Sequence, residues 1–423
     1  MSWSFAENVL HLEFDALWTT AVALLLLILG YGLRRKLRFF ETFCIPAPVI
    51  GGLIMAIVAL ILHHNGGATI KFTTALQSPM MLAFFTTVGI GGSLALIAKG
   101  GKALVVYLVF CWLLAVIQNG VGAGLAKVFG IHPVFGVMAG AVSLEGGHGA
   151  AAAFGSSTEA LGIVGAKAVA IASATFGLIM GGLLGGPVCR MLIEKNHVDI
   201  SASDEAIYQK SASEVMGEGG TDAVDSAGFM KMLCLVLSFM AIGAVVSKHV
   251  NAMFPKSWNF SLPGYVMAMF VAVIFRNIND ATHMVKIRTK CLDIISDVSL
   301  GVFLTMAMMS MRIWDLYDLA LPLLGILVAQ TALIAFLAIF ILFPLLGKNY
   351  DAAVMCAGFM GHGLGATPNA VANMGAVCER YGVLSHKAFL IVPLCGAVLI
   401  DLVGLPNIAW FISFLTAKYG VCA

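Results

Sequence analysis

The chain of 423 residues is 60% hydrophobic and only 11% charged, with a formal net charge of +2. Soluble domains carry about a quarter charged residues, so the chain has too few charges to cover a water-facing surface, and lipid must be the solvent for much of it. The near-balanced charge gives no electrostatic basis for a nucleic acid or acidic macromolecular partner.

Residues 1–15 lack the basic start of a signal peptide and carry Glu7, Glu13 and Asp15. The first apolar run, Ala16–Leu33, is followed by Arg34, Arg35, Lys36 and Arg38. That order is expected of an outside N-terminus and a cytoplasmic basic cluster. Further runs follow at Ile45–Leu62, Pro79–Ala98, Ala103–Val128 and Lys167–Ile193, most near the ~17–25 residues that cross a bilayer. Residues 194–228 are acidic and rich in Ser and Gly, as a solvated linker would be. Five more runs come after it, at Phe229–Ser247, Leu262–Arg276, Leu292–Met311, Leu319–Leu346 and Ala388–Leu415. The nine cysteines are scattered without a C-x-x-C pair and read as reduced, mostly buried apolar residues.

The two halves match in order. Ile45-Pro46-Ala47 pairs with Leu262-Pro263-Gly264, Gln118-Asn119 with Gln330-Thr331, and Gly147-His148-Gly149 with Gly361-His362-Gly363. Leu184-Gly185-Gly186-Pro187 pairs with Val403-Gly404-Leu405-Pro406. Four matches in one order predict an internal repeat, and an odd number of spans per half requires the second repeat to be inverted. With the N-terminus outside, seventeen of the 24 Lys and Arg residues fall on the cytoplasmic side, which fixes this orientation. The expected fold is an all-α polytopic membrane protein of two inverted five-helix repeats, 1–193 and 229–423. The linker, 194–228, is cytoplasmic and both termini are periplasmic.

Residues 134–160 and 349–378 are too apolar for ordinary loops and too rich in glycine and central polar residues for clean spans. Each fits a re-entrant hairpin, with a half-helix in, a glycine-rich tip and a half-helix out. Irregular backbone at membrane depth survives only when buried in protein or lining a wet cavity. The N-terminus of a broken helix suits a carboxylate, and freed carbonyls with Ser, Thr or Asn oxygens suit Na+. The candidate substrate-binding residues are therefore Ser143, Gly146, Gly147, His148 and Gly149 in one tip, and Gly363, Gly365, Thr367, Asn369 and Asn373 in the other. Glu145, Asp401, Gln118 and Gln330 are the candidate Na+ ligands.

Each single residue has a plainer reading as well. Asp401 is an ion ligand or a structural partner; His148 and His362 are hydrogen-bond partners or proton carriers; Gln118 and Gln330 bridge helices or face the tips. Asp351 is placed to cap a half-helix. Gly181, Gly182, Gly185 and Gly186 suit close helix packing, as Met306–Met311 suits ordinary packing.

The chain resembles the sodium/glutamate symporter family. The resemblance runs through Ile45-Pro46-Ala47-Pro48 with Gly51-Gly52, Pro79 to Phe85, Gln118-Asn119, Gly146 to Gly149, Ala172 to Pro187 and Met306 to Trp314. It continues through Gly347 to Val354, Gly363 to Pro368 and Ala372-Asn373-Met374. It implies two inverted five-span domains with re-entrant loops, symport of L-glutamate with Na+, no other cofactor, and residence in a bacterial inner membrane. Glu145 and Ala150 stand where the family's first tip carries a small hydroxyl residue and Thr. The partners expected are L-glutamate or a similar small anion, Na+, the bilayer and a second copy of the chain. The alternative is a carrier of a dicarboxylate or hydroxycarboxylate, with a proton as coupling ion. A channel and an enzyme are the remaining rivals, and no H-E-x-x-H, G-x-S-x-G or nucleotide fingerprint supports an enzyme.

Overall fold

The structure is a computed structural model that describes residues 2–6, 9–42, 45–65, 68–93, 95–200, 224–253, 262–317 and 319–420. Most of the expected linker, 201–223, lies outside the described residues.

All ten apolar runs are helical, with shifted bounds. In the first half they are α1 (Ala16–Lys36), α3 (Ala47–His64), α4 (Gln77–Gly91), α5 (Ala95–Val128) and α9 (Ala166–Lys195), with the short α2 (Arg38–Thr42) after α1. Between α5 and α9 lie α6 (Pro133–Met138), α7 (Ala141–Leu144) and α8 (Gly147–Ala160). The second half holds α10 (Ser226–Met253), α11 (Gly264–Thr282), α12 (Thr289–Met309) and α13 (Ala320–Leu345). It continues with α14 (Tyr350–Gly363), α15 (Thr367–Tyr381), α16 (His386–Leu394) and α17 (Asp401–Tyr419).

Seven of these are long and apolar enough to cross a membrane: α1, α3, α5 from Gly101, α9, α10, α12 and α13. The other three expected spans fall short for local reasons. Helix α4 stops at Gly91, where Arg276 donates to the Ile90 carbonyl (3.1 Å) and Asn277 to that of Gly92 (2.9 Å). Those two residues, with Asn279 and Asp280, make the last turns of α11 polar. The final run is split into α16 and α17 by a π-helical turn at Cys395–Leu399.

A small sheet departs from the all-α expectation. β1 (Ser2–Ala6) runs antiparallel to β2 (Val9–Phe14), and β2 parallel to β3 (Ala68–Phe72). Leu10, Leu12 and Phe14 alternate with His11 and Glu13, the period of a strand. The Lys71–Glu13 ion pair (3.2 Å) and Phe14 against Phe72 (5.3 Å) cross β2 to β3. Seven cysteines are free thiols, all buried but Cys234; Cys44 and Cys422 lie outside the described residues.

The helices pack in two groups that mix the halves. Helices α1, α3 and α4 pack with α10, α11 and α12. Helices α5–α9 pack with α13–α17. The seam is bridged chiefly by α12 on α8, and by α9 on the 3-10 turn Ile313–Leu316. Pro46 and Pro263 cap α3 and α11 in the same extended conformation, as the matched sequences require.

Where α1 crosses α3 the backbones touch. A Cβ on Gly30 would lie 2.0 Å from the Ala47 carbonyl oxygen, and one on Gly51 would lie 1.9 Å from that of Leu26. Small residues let membrane helices approach this closely. Gly51→Val should lower the melting temperature in detergent, because overpacking costs about 1–3 kcal/mol. Gly32→Val, with open space around it, should not. Equal losses in both variants would contradict the crossing.

Candidate functional site

Both expected hairpins are helix–break–helix segments. His132 caps α6 by accepting from the Val134 N–H (3.3 Å), with Pro133 in the first turn. The chain steps through the single turn of α7, reverses at Glu145-Gly146-Gly147 and enters α8. Gly147 has φ +58°, and a Cβ there would stand 3.0 Å from the Gly365 carbonyl oxygen. Glycine is therefore required at Gly147 twice, for its conformation and for the approach of the second segment.

In that second segment Asn349 caps α14 by accepting from the Ala352 N–H (2.9 Å). The expected cap, Asp351, instead accepts from the Ser385 hydroxyl (2.6 Å) and ties α14 to the start of α16. The break is Leu364-Gly365-Ala366, after which α15 starts at Thr367 with Pro368 in its first turn. The two Gly-His-Gly triplets are thus not equivalent. Gly147-His148-Gly149 opens the helix after a break, whereas Gly361-His362-Gly363 closes the helix before one.

The two breaks meet at a cavity of about 290 Å³. Glu145 to Ala150 and Gly365 to Pro368 line it, with Leu178 of α9, Gly396 in the π turn and Asp401 at the start of α17. The other helix group closes it with Pro46, Phe84, Phe85 and Val88, and with Leu300 and Leu304. The site thus lies on the seam between the two groups. The first N–H groups of α8 have no intrahelical acceptors, whereas at α15 Pro368 carries no N–H and the Asn369 N–H bonds the Ala366 carbonyl, which leaves that of Thr367. Two carboxylates, Glu145 and Asp401, line the cavity, and among the described residues no Lys or Arg does. The Glu145 Oε1 is buried without a hydrogen-bond donor among the described residues.

His148 lines the cavity with its Nε2 3.0 Å from the Thr175 hydroxyl. That hydroxyl donates to the Ile171 carbonyl, so the Nε2–H donates and Nδ1 is left as an acceptor. His362 is wedged beside Gly396, with Nε2 2.8 Å from the Tyr107 hydroxyl.

Six candidates stand outside the lining, Gln118, Gln330, Ser143, Gly363, Asn369 and Asn373, and the side chains among them bond the backbone in or beside the broken segments. Gln118 Nε2 donates to the Gly363 carbonyl (3.0 Å), and Gln330 Nε2 to that of Gln118 (2.7 Å). Both Oε1 atoms are buried without partners among the described residues. Ser143 donates its single hydroxyl proton to the carbonyls of Ala170 (2.8 Å) and Met138 in alternation. Asn369 donates to the Leu178 carbonyl (2.7 Å), and Asn373 to those of Gly181 (2.9 Å) and Ala357 (3.3 Å). Asn119 accepts from the Ala141 N–H at the start of α7 (3.1 Å). Along α9, Gly177 and Gly181 admit the carbonyls of the second segment and Gly185 admits Asn373. For Gly181 and Gly185 this is the close packing expected. The apolar wall from α4 and α12 was missed as part of the site, and no spacing signal marks it.

A family model described as the sodium/glutamate symporter matches residues 12–383. The sodium/glutamate symporters of Escherichia coli (strain K12) and Shigella flexneri are each 39% identical over 390 residues, covering 92% of this chain and 95% of the relative. That of Haemophilus influenzae is 39% identical over 393 residues, with the same coverage.

The placement of Asn373 behind the wall has a measurable consequence. Asn373→Leu removes its bonds to the Gly181 and Ala357 carbonyls, at a cost of about 0.6–2 kcal/mol for a polar contact within a membrane protein. Its melting temperature in detergent should fall with or without substrate. A normal melting temperature with weakened substrate binding would place Asn373 in the cavity instead.

Proposed function

The chain belongs to the sodium/glutamate symporter family, and from that premise we propose that it carries L-glutamate with Na+ through the cavity where its two broken helices meet. The observation that supports this reading is the pairing of two helix N-termini with two carboxylates in one cavity. The N-termini of α8 and α15 offer N–H groups and the positive ends of helix dipoles to a substrate carboxylate. Gly146, Gly147, His148, Gly149, Gly365 and Thr367 are the contacts within reach of it, and the apolar wall excludes water. Ser143, Gly363, Asn369 and Asn373 serve by holding those contacts in place.

Glu145 and Asp401 supply the coupling. A buried charge is costly unless paired, so an acidic substrate settles beside two carboxylates only when cations are bound there. Each Na+ that binds raises the affinity for glutamate, and by reciprocity glutamate raises the affinity for Na+. Gln118 and Gln330 brace the tips behind this site rather than joining it. No cofactor other than the coupling ion enters this scheme.

The same reading places the chain in a bacterial inner membrane as two inverted five-span repeats, 1–193 and 229–423, with re-entrant segments 134–160 and 349–378. The 194–228 linker is cytoplasmic, both termini are periplasmic, and the assembly is a homodimer. Support for the repeat comes from the like caps at Pro46 and Pro263 and from the break that follows α5 and α13 alike. A dicarboxylate or hydroxycarboxylate carrier is not favoured, since the matched relatives are named for glutamate.

Uptake of radiolabelled glutamate into proteoliposomes should require an inward Na+ gradient and vanish when choline replaces Na+. Glu145→Gln should raise the Na+ concentration for half-maximal uptake about tenfold or more, since a contact to a charged group is worth roughly 1.5–3 kcal/mol. Unchanged Na+ dependence with tighter glutamate binding would make Glu145 a selectivity residue and not a cation ligand.

A further inference from the structure

A second cavity, of about 300 Å³, lies farther along the same seam. Its walls are Glu159 at the end of α8, Val164, Lys167 and Ala168 around the start of α9, Ser310 and Met311 after α12, and the 3-10 turn with Arg312 and Asp315. Lys167 is only 7% exposed, and its Nζ donates to the Ser310 hydroxyl at 2.8 Å. Ser310 passes its own proton to the Met306 carbonyl (2.8 Å), so two of the three ammonium donors have no acceptor among the described residues. Arg312 acts electrostatically on Lys167, Glu159 and Asp315. Neither Lys167 nor Arg312 takes part in an ion pair among the described residues. Lys167 and Arg312 share the pocket with Glu159 and Asp315, which act on them electrostatically without a direct ion pair among the described residues. Cations and acids are therefore balanced there, and each kind keeps free bonding capacity for a ligand.

The acids are arranged differently. Glu159 accepts from the Lys167 backbone N–H (3.1 Å) and so caps α9. Asp315 lies against Gly165, whose Cβ would stand 3.5 Å from its own. Burial raises the Asp315 carboxyl above its ordinary value, and Arg312 and His63 draw it back down. The pocket thus offers two cations for carboxylates and two rim carboxylates for an ammonium group. That set complements an α-amino dicarboxylate.

The two cavities share walls. Helix α8 runs from Gly147 at the central cavity to Glu159 at this pocket, about 18 Å at 1.5 Å per residue. Helix α12 runs from Leu304 at the first to Met309 just before Ser310 at the second. We propose that the Lys167–Arg312 pocket is a capture site, which binds the transported α-amino dicarboxylate before it reaches the central cavity. The proposal rests on the reading of the chain as a glutamate carrier.

The test is equilibrium binding of radiolabelled L-glutamate to the purified chain in detergent at saturating Na+, with uptake kinetics from the same preparations in proteoliposomes. Arg312 is exposed, so Arg312→Gln should leave the fold intact. The wild-type chain should bind two glutamates and Arg312→Gln one. The variant's transport KM should rise about 2- to 5-fold, the scale of one solvent-screened charge contact, with kcat unchanged. Arg312→Lys should restore the second glutamate. One glutamate per wild-type chain, or an unaltered KM in Arg312→Gln, would overturn the capture site while leaving the carrier reading in place. A wild-type chain that neither binds nor carries glutamate would bring down both.

Discussion

Backbone that turns inside a hydrocarbon layer has no water to bond, and each freed N–H or C=O must find a partner in the protein. This chain breaks two helices where they meet at the central cavity, at Glu145–Gly147 and Leu364–Ala366. Much of the surrounding structure serves those breaks. Side-chain amides of Gln118, Asn119, Gln330, Asn369 and Asn373 bond main-chain groups in or beside the broken segments. Glycines at Gly122 and Gly136, and along α9, let carbonyls come close enough to need no spacer. The breaks also leave helix N-termini facing inward, which is what a charged solute requires once it has shed its water.

Charge gives the cavity its second constraint. Two carboxylates and one imidazole line it, with no Lys or Arg among the described residues. In the proposed scheme, cations bound beside the carboxylates admit an anionic substrate, and this links the two solutes thermodynamically. Its position on the seam matters as well. The tips, Gly396 and Asp401 belong to one helix group, and Phe84, Phe85, Val88, Leu300 and Leu304 to the other. Relative movement of the groups would change access to the site without dismantling the polar contacts within it.

Long apolar periods made all ten helical runs legible in the sequence, and glycine beside polar residues at membrane depth marked both breaks. The match of Gly147-His148-Gly149 with Gly361-His362-Gly363 misled, because a triplet of small and polar residues serves equally to open a helix and to close one. Residue type also failed to separate contact from support. Asn373 and Thr367 both look like ligands, yet Thr367 lines the cavity and Asn373 bonds carbonyls behind it. Which way an amide points depends on packing against α9, more than 180 residues earlier in the chain. The apolar wall was hidden for the same reason, since Phe84 and Leu300 look like any core residues until the two helix groups come together. The β2–β3 pairing joins residues separated by three helices, and no local pattern announces it.

The account depends on the two tips touching, and a cross-link tests that most directly. A Cβ placed on Gly147 would stand 3.9 Å from that of Ala366, close to the mean of about 3.8 Å in disulfides. In a chain freed of its native cysteines, Gly147→Cys with Ala366→Cys should form a disulfide on mild oxidation that reduction reverses, at some cost in folded yield because the backbone at 147 favours glycine. Two thiols that both react with a small maleimide, yet never join under oxidation, would contradict the meeting of the tips and the site built upon it.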